Sequence, residues 1–334
     1  MNHYPSNVKE KLNSIILSMA EHHWLFSQNP GHDFTRQHLG KLSFYDTMRL
    51  IISMGKGSTN DEIMDYFDLD PDLIPSQSAF CQRRRQISLS AFEYLFSEFS
   101  SSFPSTTDKF KDHCILACDG CHVVYATNSD IIEDYNKPRL IDYKGYNHMH
   151  LNGFVDVISK AFLDVVIQPG QQPDEREALH SMLDHFTPDD PQKYIITADR
   201  GYESYDLLFH CELKNLGYVF RVKSPSSPKS ILSYYASELP DDLEEFDVTI
   251  KRFFTDKATN IMKSQSDVYR YINPSKNTPH FYELLRKKHS HLYFLQFRVV
   301  KIKTSENTYE YLITNFLLIY SGRYPGMLSL AMGH

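Results

Sequence analysis

The chain of 334 residues is poor in glycine, cysteine and long apolar runs. Its 13 Gly and 16 Pro exclude collagen-like, elastic and low-complexity proteins. Five Cys, an odd number in a long chain, argue against a disulfide framework and for a reducing compartment. The longest apolar stretches, 14–20 and 316–320, are far shorter than the ~20 residues of a membrane helix. The charged N-terminal segment, 1–20, is not that of a secretory signal. We therefore expect a soluble, cytoplasmic protein without membrane contact.

The chain also lacks an excess of basic charge. Its 35 Lys and Arg stand against 42 Asp and Glu, which gives a formal net charge of −7 and excludes a small basic DNA-packaging protein. Neither a Gly-rich phosphate loop nor a His-Glu-x-x-His motif occurs, which argues against ATP use and against a zinc protease. What the chain has is an ordinary globular composition, 41% hydrophobic, and a length that allows two domains.

The spacing of the apolar residues changes near residue 105. Before it, apolar residues recur at three and four positions, as in Val8, Leu12 and Ile15, which is typical of amphipathic helices. A Ser/Thr/Pro-rich stretch then separates this helical part of the sequence from the part that follows. Beyond it the sequence predicts four Val- and Ile-rich strands, at 113–119, 123–127, 151–158 and 161–167. Helices and strands alternate after them. We therefore predict a helical domain at 1–105 and an α/β domain at 106–316.

This order of strands and helices predicts a mixed sheet that resembles ribonuclease H. Asp119 closes the first predicted strand, and Asp199 closes the strand 194–199 that follows the first helix of the domain. Because ligand sites form outside strand ends, we expect both carboxylates at one edge of the sheet. Carboxylate oxygens suit Mg²⁺, and two metal ions there would serve the transfer of a phosphodiester. The alternative is that Asp119 belongs to a turn and Asp199 to a helix cap.

The residues around these acids form motifs of known type. They are Asp119-Gly120, Asp199-Arg200-Gly201-Tyr202 at 80 positions from Asp119, the stretch from Lys144-Gly145-Tyr146 to Gly153-Phe154-Val155-Asp156, and Tyr311-Leu312-Ile313-Thr314-Asn315. Together they resemble the insertion-sequence DDE transposases, in the group named after insertion sequence four. The resemblance covers about residues 34–315.

The resemblance implies a ribonuclease H-like catalytic domain, with Asp119 and Asp199 as catalytic metal ligands for Mg²⁺ or Mn²⁺. It also implies a β-rich insertion at about 224–303 and cutting and rejoining of transposon ends. The implied partners are the terminal inverted repeats, target DNA and a second copy of the chain on that DNA. Two other functions stay open: a DNA-binding repressor without catalysis, and a nuclease of the same fold that does not join strands.

Candidate DNA contacts come from both domains. Arg83, Arg84 and Arg85 lie in a predicted helix that follows the helix 60–67, an imperfect helix-turn-helix whose second helix could enter a major groove. In the second domain the candidates are Arg200, Tyr202, Lys223, Lys251 and Arg252. Contacts of the basic residues to phosphates would make DNA binding depend on salt. The alternative for the Arg-rich helix is a solvated face.

The family's third acid is a Glu on the last helix, after a Tyr, two residues, an Arg and three residues. No such pattern occurs, because Tyr282 and Arg286 have the wrong spacing and Glu310 lies in a predicted strand. If the codons of the last residues are read one nucleotide further on, the shifted frame permits the pattern, with the Glu directly beyond His334. We therefore expect 317–334 to be an out-of-frame tail and the chain to be truncated and inactive. The alternative is Glu310 as an unusual third ligand.

Overall fold

In the computed structural model, the chain divides into two compact units, Met1–Pro104 and Ser105–His334. The structure describes residues 4–35, 41–102, 112–138, 145–273, 278–306 and 308–316. The expected out-of-frame tail at 317–334 and Lys144 of the family motif lie outside these residues. Among the described helices, none is long and apolar enough to cross a membrane.

The first unit is built from helices that share two small cores. They are α1 (Tyr4–Glu21), α2 (Phe44–Ser53), α3 (Thr59–Tyr66), α4 (Gln77–Gln86) and α5 (Leu89–Ser101). Ser43 and Ser58 each form a capping box with an Asp three residues later, which fixes where α2 and α3 begin. One buried cluster contains residues of α1, α2 and α5, and the other contains Leu50, Ile63 and Phe80 from α2, α3 and α4.

The second unit contains one mixed sheet. Within the described residues its strands are β1 (Cys114–Tyr125), β2 (Tyr135–Asn136), β3 (Tyr146–Asp156), β4 (Phe162–Pro169), β5 (Tyr194–Ala198), β6 (Gly217–Val222), β7 (Phe246–Thr255), β8 (Tyr269–Tyr271), β9 (Leu292–Ser305) and β10 (Thr308–Thr314). Its helices are α6 (Glu175–His185), α7 (Tyr205–Leu213), α8 (Asn260–Ser264) and α9 (Pro279–Lys287). The sheet order is β2-β3-β1-β5-β6-β10-β9-β7-β8, with β4 also paired to β3.

The central strands confirm the predicted fold class, a mixed α/β sheet preceded by helices. β1, β3 and β4 are antiparallel neighbours, whereas β1, β5 and β6 run parallel. Helix α6 leads from β4 into β5, and α7 connects β5 to β6. Their apolar residues, such as Leu179 and Leu208, share the main buried cluster with Ile196 of β5. The segment predicted as an insertion, 224–303, contributes β7 and β9, which extend the same sheet through β10.

One prediction about the strands was wrong. The segments 113–119 and 123–127 are a single strand, β1, and Asp119 lies in its middle instead of closing it. The reason is a continuous ladder with β3, which pairs Asp119 with Gly153 and runs on to Tyr125. Long-range pairing thus overrides the local turn signal of Gly120.

Candidate active site

Asp119 and Asp199 are brought together by two neighbouring strands. The parallel register of β1 and β5 pairs Cys118 with Ala198. Asp119 directly follows Cys118 within β1, and Asp199 directly follows Ala198, the last residue of β5. Both aspartates are exposed. The backbone N–H of Gly120 donates to Asp119 Oδ1 at 2.9 Å, and that of Gly201 donates to Asp199 Oδ1 at 2.7 Å. Each carboxylate is therefore oriented by an amide beside it.

A third carboxylate, that of Glu175, lies close to Asp199. A Cβ on Gly201 would stand 3.0 Å from Asp199 Oδ1 and 3.0 Å from Glu175 Oε2. The other oxygen of Glu175, Oε1, is 3.3 Å from Nε2 of the buried His150. The lack of a side chain at Gly201 therefore leaves open a space that two carboxylate oxygens border.

Glu175 was not among the predicted site residues, because it lies at the start of a helix and the predicted acids were those at strand ends. β4 runs in the same direction as β5, since both β1–β3 and β3–β4 are antiparallel and β1–β5 is parallel. The helix that follows β4 therefore begins at the edge where β5 ends. Asp174 caps this helix by accepting from two backbone amides, and Glu175 is its first residue. The sequence feature that could have indicated Glu175 is an acid directly after the capping residue of a helix that follows such a strand.

The buried thiol of Cys118 is surrounded by these acids. The pKa of Cys118 is raised to about 12, chiefly by burial and to a smaller degree by the charges of Asp119, Glu175 and Asp199, against the lowering effect of its hydrogen bond to Tyr202. Three carboxylates from β1, α6 and the end of β5 therefore act on one thiol. Such a concentration of negative charge at one edge of a sheet favours the binding of a cation.

Glu310 does not fit the alternative of an unusual third ligand. Its Oε1 accepts from Arg221 Nη2 at 2.7 Å and from Arg200 Nη2 at 3.1 Å, and its Oε2 accepts from Arg221 Nε at 3.3 Å. The carboxylate is buried on β10, and both of its oxygens are bound to guanidinium groups. Glu310 instead anchors Arg200, the residue that follows Asp199.

The structure separates the eight predicted DNA-binding residues into exposed and buried ones. Arg84, Arg85, Arg200 and Lys251 are exposed and Lys223 is half-buried, whereas Arg83, Tyr202 and Arg252 are buried. The exposed arginines on α4 and the positions beside Asp199 belong to different units of the chain.

For the three buried residues the prediction of DNA contact does not fit the structure. Tyr202 is only 1% exposed and accepts a hydrogen bond from Cys118 Sγ at 3.5 Å. Arg252 pairs with Glu238, and Arg83 donates to Gln86 Oε1 at 2.9 Å. A side chain held in the interior cannot reach a phosphate, so these residues serve packing and internal pairing.

The loop after Asp199 is tied to the rest of the unit. Lys223 Nζ donates to the carbonyl of Arg200 at 3.1 Å, and Glu203 accepts from the backbone N–H of Lys223 at 3.1 Å. Glu203 also accepts from Ser230 Oγ and from the backbone N–H of Ile231. These bonds hold Lys223 against the backbone of Arg200, the residue that follows Asp199.

The site is thus a set of acids beside the parallel strands of a mixed sheet, with Glu175 next to Asp199 and Asp119 on the neighbouring strand. The chain belongs to the transposase DDE domain family, whose profile matches residues 110–308. Domains of this family generally use divalent metal ions.

Among solved structures, the chain is similar to piggyBac transposase, determined by cryo-electron microscopy as a synaptic complex with hairpin DNA. The two sequences are 11% identical, and the superposition has a TM-score of 0.41. It covers 83% of this chain and 51% of the other, so the chain spans about half the length of that transposase. No curated protein sequence matches the chain.

Proposed function

We propose that the chain is the transposase of an insertion sequence, in the group named after insertion sequence four. It binds the terminal inverted repeats and carries out metal-dependent DNA cleavage and strand transfer in the cytoplasm. The observation that carries the proposal is the register that places Asp119 and Asp199 after paired residues of two parallel strands, with Glu175 beside Asp199, within a transposase DDE domain.

The three carboxylates fit a hard divalent cation. Mg²⁺ and Mn²⁺ prefer carboxylate oxygens, and the space beside Gly201 is bordered by oxygens of Asp199 and Glu175. Asp119 and Asp199 would hold the ion, and Glu175 is the third carboxylate that the described residues offer. When bound, such an ion supplies Lewis-acid polarisation of a phosphodiester oxygen and lowers the pKa of water.

Arg200 and Lys223 would bind the phosphates next to these carboxylates. Arg200 is about half exposed, although Glu310 anchors its guanidinium, and Lys223 is held against the Arg200 carbonyl. Two cations fixed at an otherwise acidic edge reduce the repulsion between the carboxylates and the DNA backbone. Their role would be to bind and orient the strand.

The first unit would supply DNA recognition. α3 and α4 pack together through Ile63 and Phe80, and α4 carries the exposed Arg84 and Arg85 in its last turn. A helix with exposed arginines that packs on a second helix is suited to a DNA groove. Because two transposon ends must be paired, we propose that two copies of the chain act together on DNA.

The test is an assay on a DNA fragment that carries the flanking inverted repeat. We expect the full chain to bind it without Mg²⁺. If Glu175 serves as the third carboxylate, the chain nicks the DNA at the repeat boundary when Mg²⁺ is added and joins the cut end to target DNA, whereas the truncation predicted from the sequence leaves it unable to do either. Asp199→Asn should bind but not nick, whereas Asp189→Asn, at an exposed surface position, should do both.

Binding without nicking would support the repressor, and would agree with the expectation that this chain is inactive. Nicking without joining would support the nuclease.

A further inference from the structure

Three histidine side chains from three helices meet in the second unit. His180 on α6, His210 on α7 and His280 on α9 each offer a ring nitrogen, and these atoms all lie within 4.8 Å of one another. The His210 and His280 rings are stacked with centroids 3.8 Å apart, and the His180 and His280 rings are stacked at 4.5 Å. His210 is buried and the other two are largely buried. The proposed transposase function uses none of them.

A carboxylate lies at one nitrogen of each imidazole. Asp206 Oδ2 is 2.6 Å from His280 Nδ1 and 3.8 Å from His180 Nε2, and Asp184 Oδ1 is 3.2 Å from His210 Nε2. Asp206 is itself buried, and its other oxygen accepts from the backbone N–H of Phe281 at 3.1 Å. Metal-binding histidines usually donate their second N–H to a carboxylate in this way, which fixes the tautomer and the direction of the ring.

In His180 and His210, the ring nitrogens that lie away from the carboxylates face each other. His180 Nδ1 is 2.9 Å from His210 Nδ1. The contact is a hydrogen bond when one of the two nitrogens carries a proton. With both deprotonated, each presents a lone pair, and the pair repels unless a positive charge lies between them. Neutral imidazole is the form that binds metals.

We propose that His180, His210 and His280 form a binding site for a divalent transition metal of the zinc type, with Asp184 and Asp206 orienting the rings. Imidazole nitrogens suit zinc, whereas Mg²⁺ and Mn²⁺ prefer oxygens, so this site is chemically distinct from the carboxylate cluster. With zinc–nitrogen bonds of about 2.0–2.1 Å, tetrahedral ligand nitrogens lie roughly 3.3–3.4 Å apart. Separations of up to 4.8 Å must therefore shorten by up to about 1.5 Å, the 2.9 Å pair must widen slightly, and the stacked His280 ring must turn toward the ion. The proposal does not depend on the proposed transposase function.

The site would fasten α9 to the two helices of the central fold. α9 belongs to the segment between β6 and β10, whereas α6 and α7 lie directly before and after the central strand β5. Phe281 of α9 already packs on Phe209 of α7, with ring centroids 4.6 Å apart. A metal ion on all three helices would therefore stabilise this part of the second unit in the folded state.

The experiment is a titration of the untagged full chain with Co²⁺ after treatment with EDTA. The visible absorption of the bound Co²⁺ is the readout. We expect one equivalent of Co²⁺ to give the bands of a tetrahedral or five-coordinate site, and one equivalent of Zn²⁺ to remove them. Zn²⁺ should also raise the melting temperature. His210→Asn and His280→Asn should weaken Zn²⁺ binding at least tenfold, and Asp206→Asn by about 10–100-fold.

Two control variants test whether this cluster and no other binds the metal. His185→Asn changes an exposed histidine on the same helix as His180, and His122→Asn changes one whose ring contacts His148 and His150. Both should bind Co²⁺ and Zn²⁺ as the unmutated chain does. Absence of the visible bands in the unmutated chain would overturn the proposal whatever the variants do. Loss of binding in either control, or its retention in both His210→Asn and His280→Asn, would overturn it as well.

Discussion

Glu175 and Asp199 border the same small space: one carboxylate oxygen of each lies 3.0 Å from the point where a Cβ would stand on Gly201. The two acids come from the first turn of α6 and from the residue after β5, so the direction of β4 brings them together. Asp119 joins them from the neighbouring strand β1. Without a cation these carboxylates repel one another, and a divalent ion removes that repulsion.

Replacing Gly201 by alanine should impair metal binding more than folding. The added methyl group would push on Asp199 Oδ1 and Glu175 Oε2, and both must move by a few tenths of an ångström. Because Gly201 is exposed, we expect the free energy of unfolding without metal to change by less than about 1 kcal/mol. The rise in melting temperature with Mn²⁺ should become much smaller. Gly31→Ala is the control, since nothing lies within 4 Å of a Cβ there. An unchanged Mn²⁺ effect in Gly201→Ala would show that this space is not part of the site.

Glu310→Gln should destabilise the second unit with or without metal. The substitution leaves the guanidinium groups of Arg200 and Arg221 without their shared carboxylate on a buried strand. Since both arginines are partly exposed, we expect a loss of about 1–3 kcal/mol in the free energy of unfolding, measured by urea denaturation. Glu283→Gln, in a surface pair with Lys287, should cost much less. If Glu310→Gln instead abolished the Mn²⁺ effect and left the stability unchanged, Glu310 would be a metal ligand.

Replacing Arg84 and Arg85 together by alanine should weaken DNA binding and flatten its salt dependence. If both contact phosphates, the slope of log K against log salt should fall in magnitude by about 2, because each contact contributes about 0.9. Fluorescence anisotropy of labelled repeat DNA at several salt concentrations measures this slope. The control replaces Lys9 and Lys11, two exposed cations on α1, and so changes the net charge equally. An equal effect of the control would mean that total charge, and not α4, governs the binding.

The sequence was sufficient for the fold class and for the pairing of Asp119 with Asp199. Both follow from local patterns: strand-like spacing, and acids that follow apolar runs whose strands become parallel neighbours, although Asp119 lies within its strand. The continuity of β1 could not be predicted, because the turn signal at Gly120 is local whereas the ladder with β3 is not. Glu175 was missed for a similar reason, since its place depends on the direction of β4 in the assembled sheet.

The burial of three predicted DNA contacts could not be read from the sequence either. Each depends on a partner distant in the chain or on the enclosing fold: Tyr202 on Cys118, Arg83 on the ring of Phe34, and Arg252 on Glu238. A basic or aromatic residue beside a motif has the same local sequence whether it points inward or outward. The exposed arginines of α4 stay candidates because the structure leaves their side chains at the surface.

The melting temperature with and without Mn²⁺ tests the central claim, a divalent metal site at Asp119 and Asp199, most directly. At tenfold excess over the dissociation constant, binding to the folded state adds about 1.4 kcal/mol, or roughly 3–6 °C for a domain of this size. The unmutated chain, Asp189→Asn and His210→Asn should show this rise, and Asp119→Asn and Asp199→Asn should not. An unchanged melting temperature of the unmutated chain in millimolar Mn²⁺, or a full rise in both aspartate variants, would contradict the account.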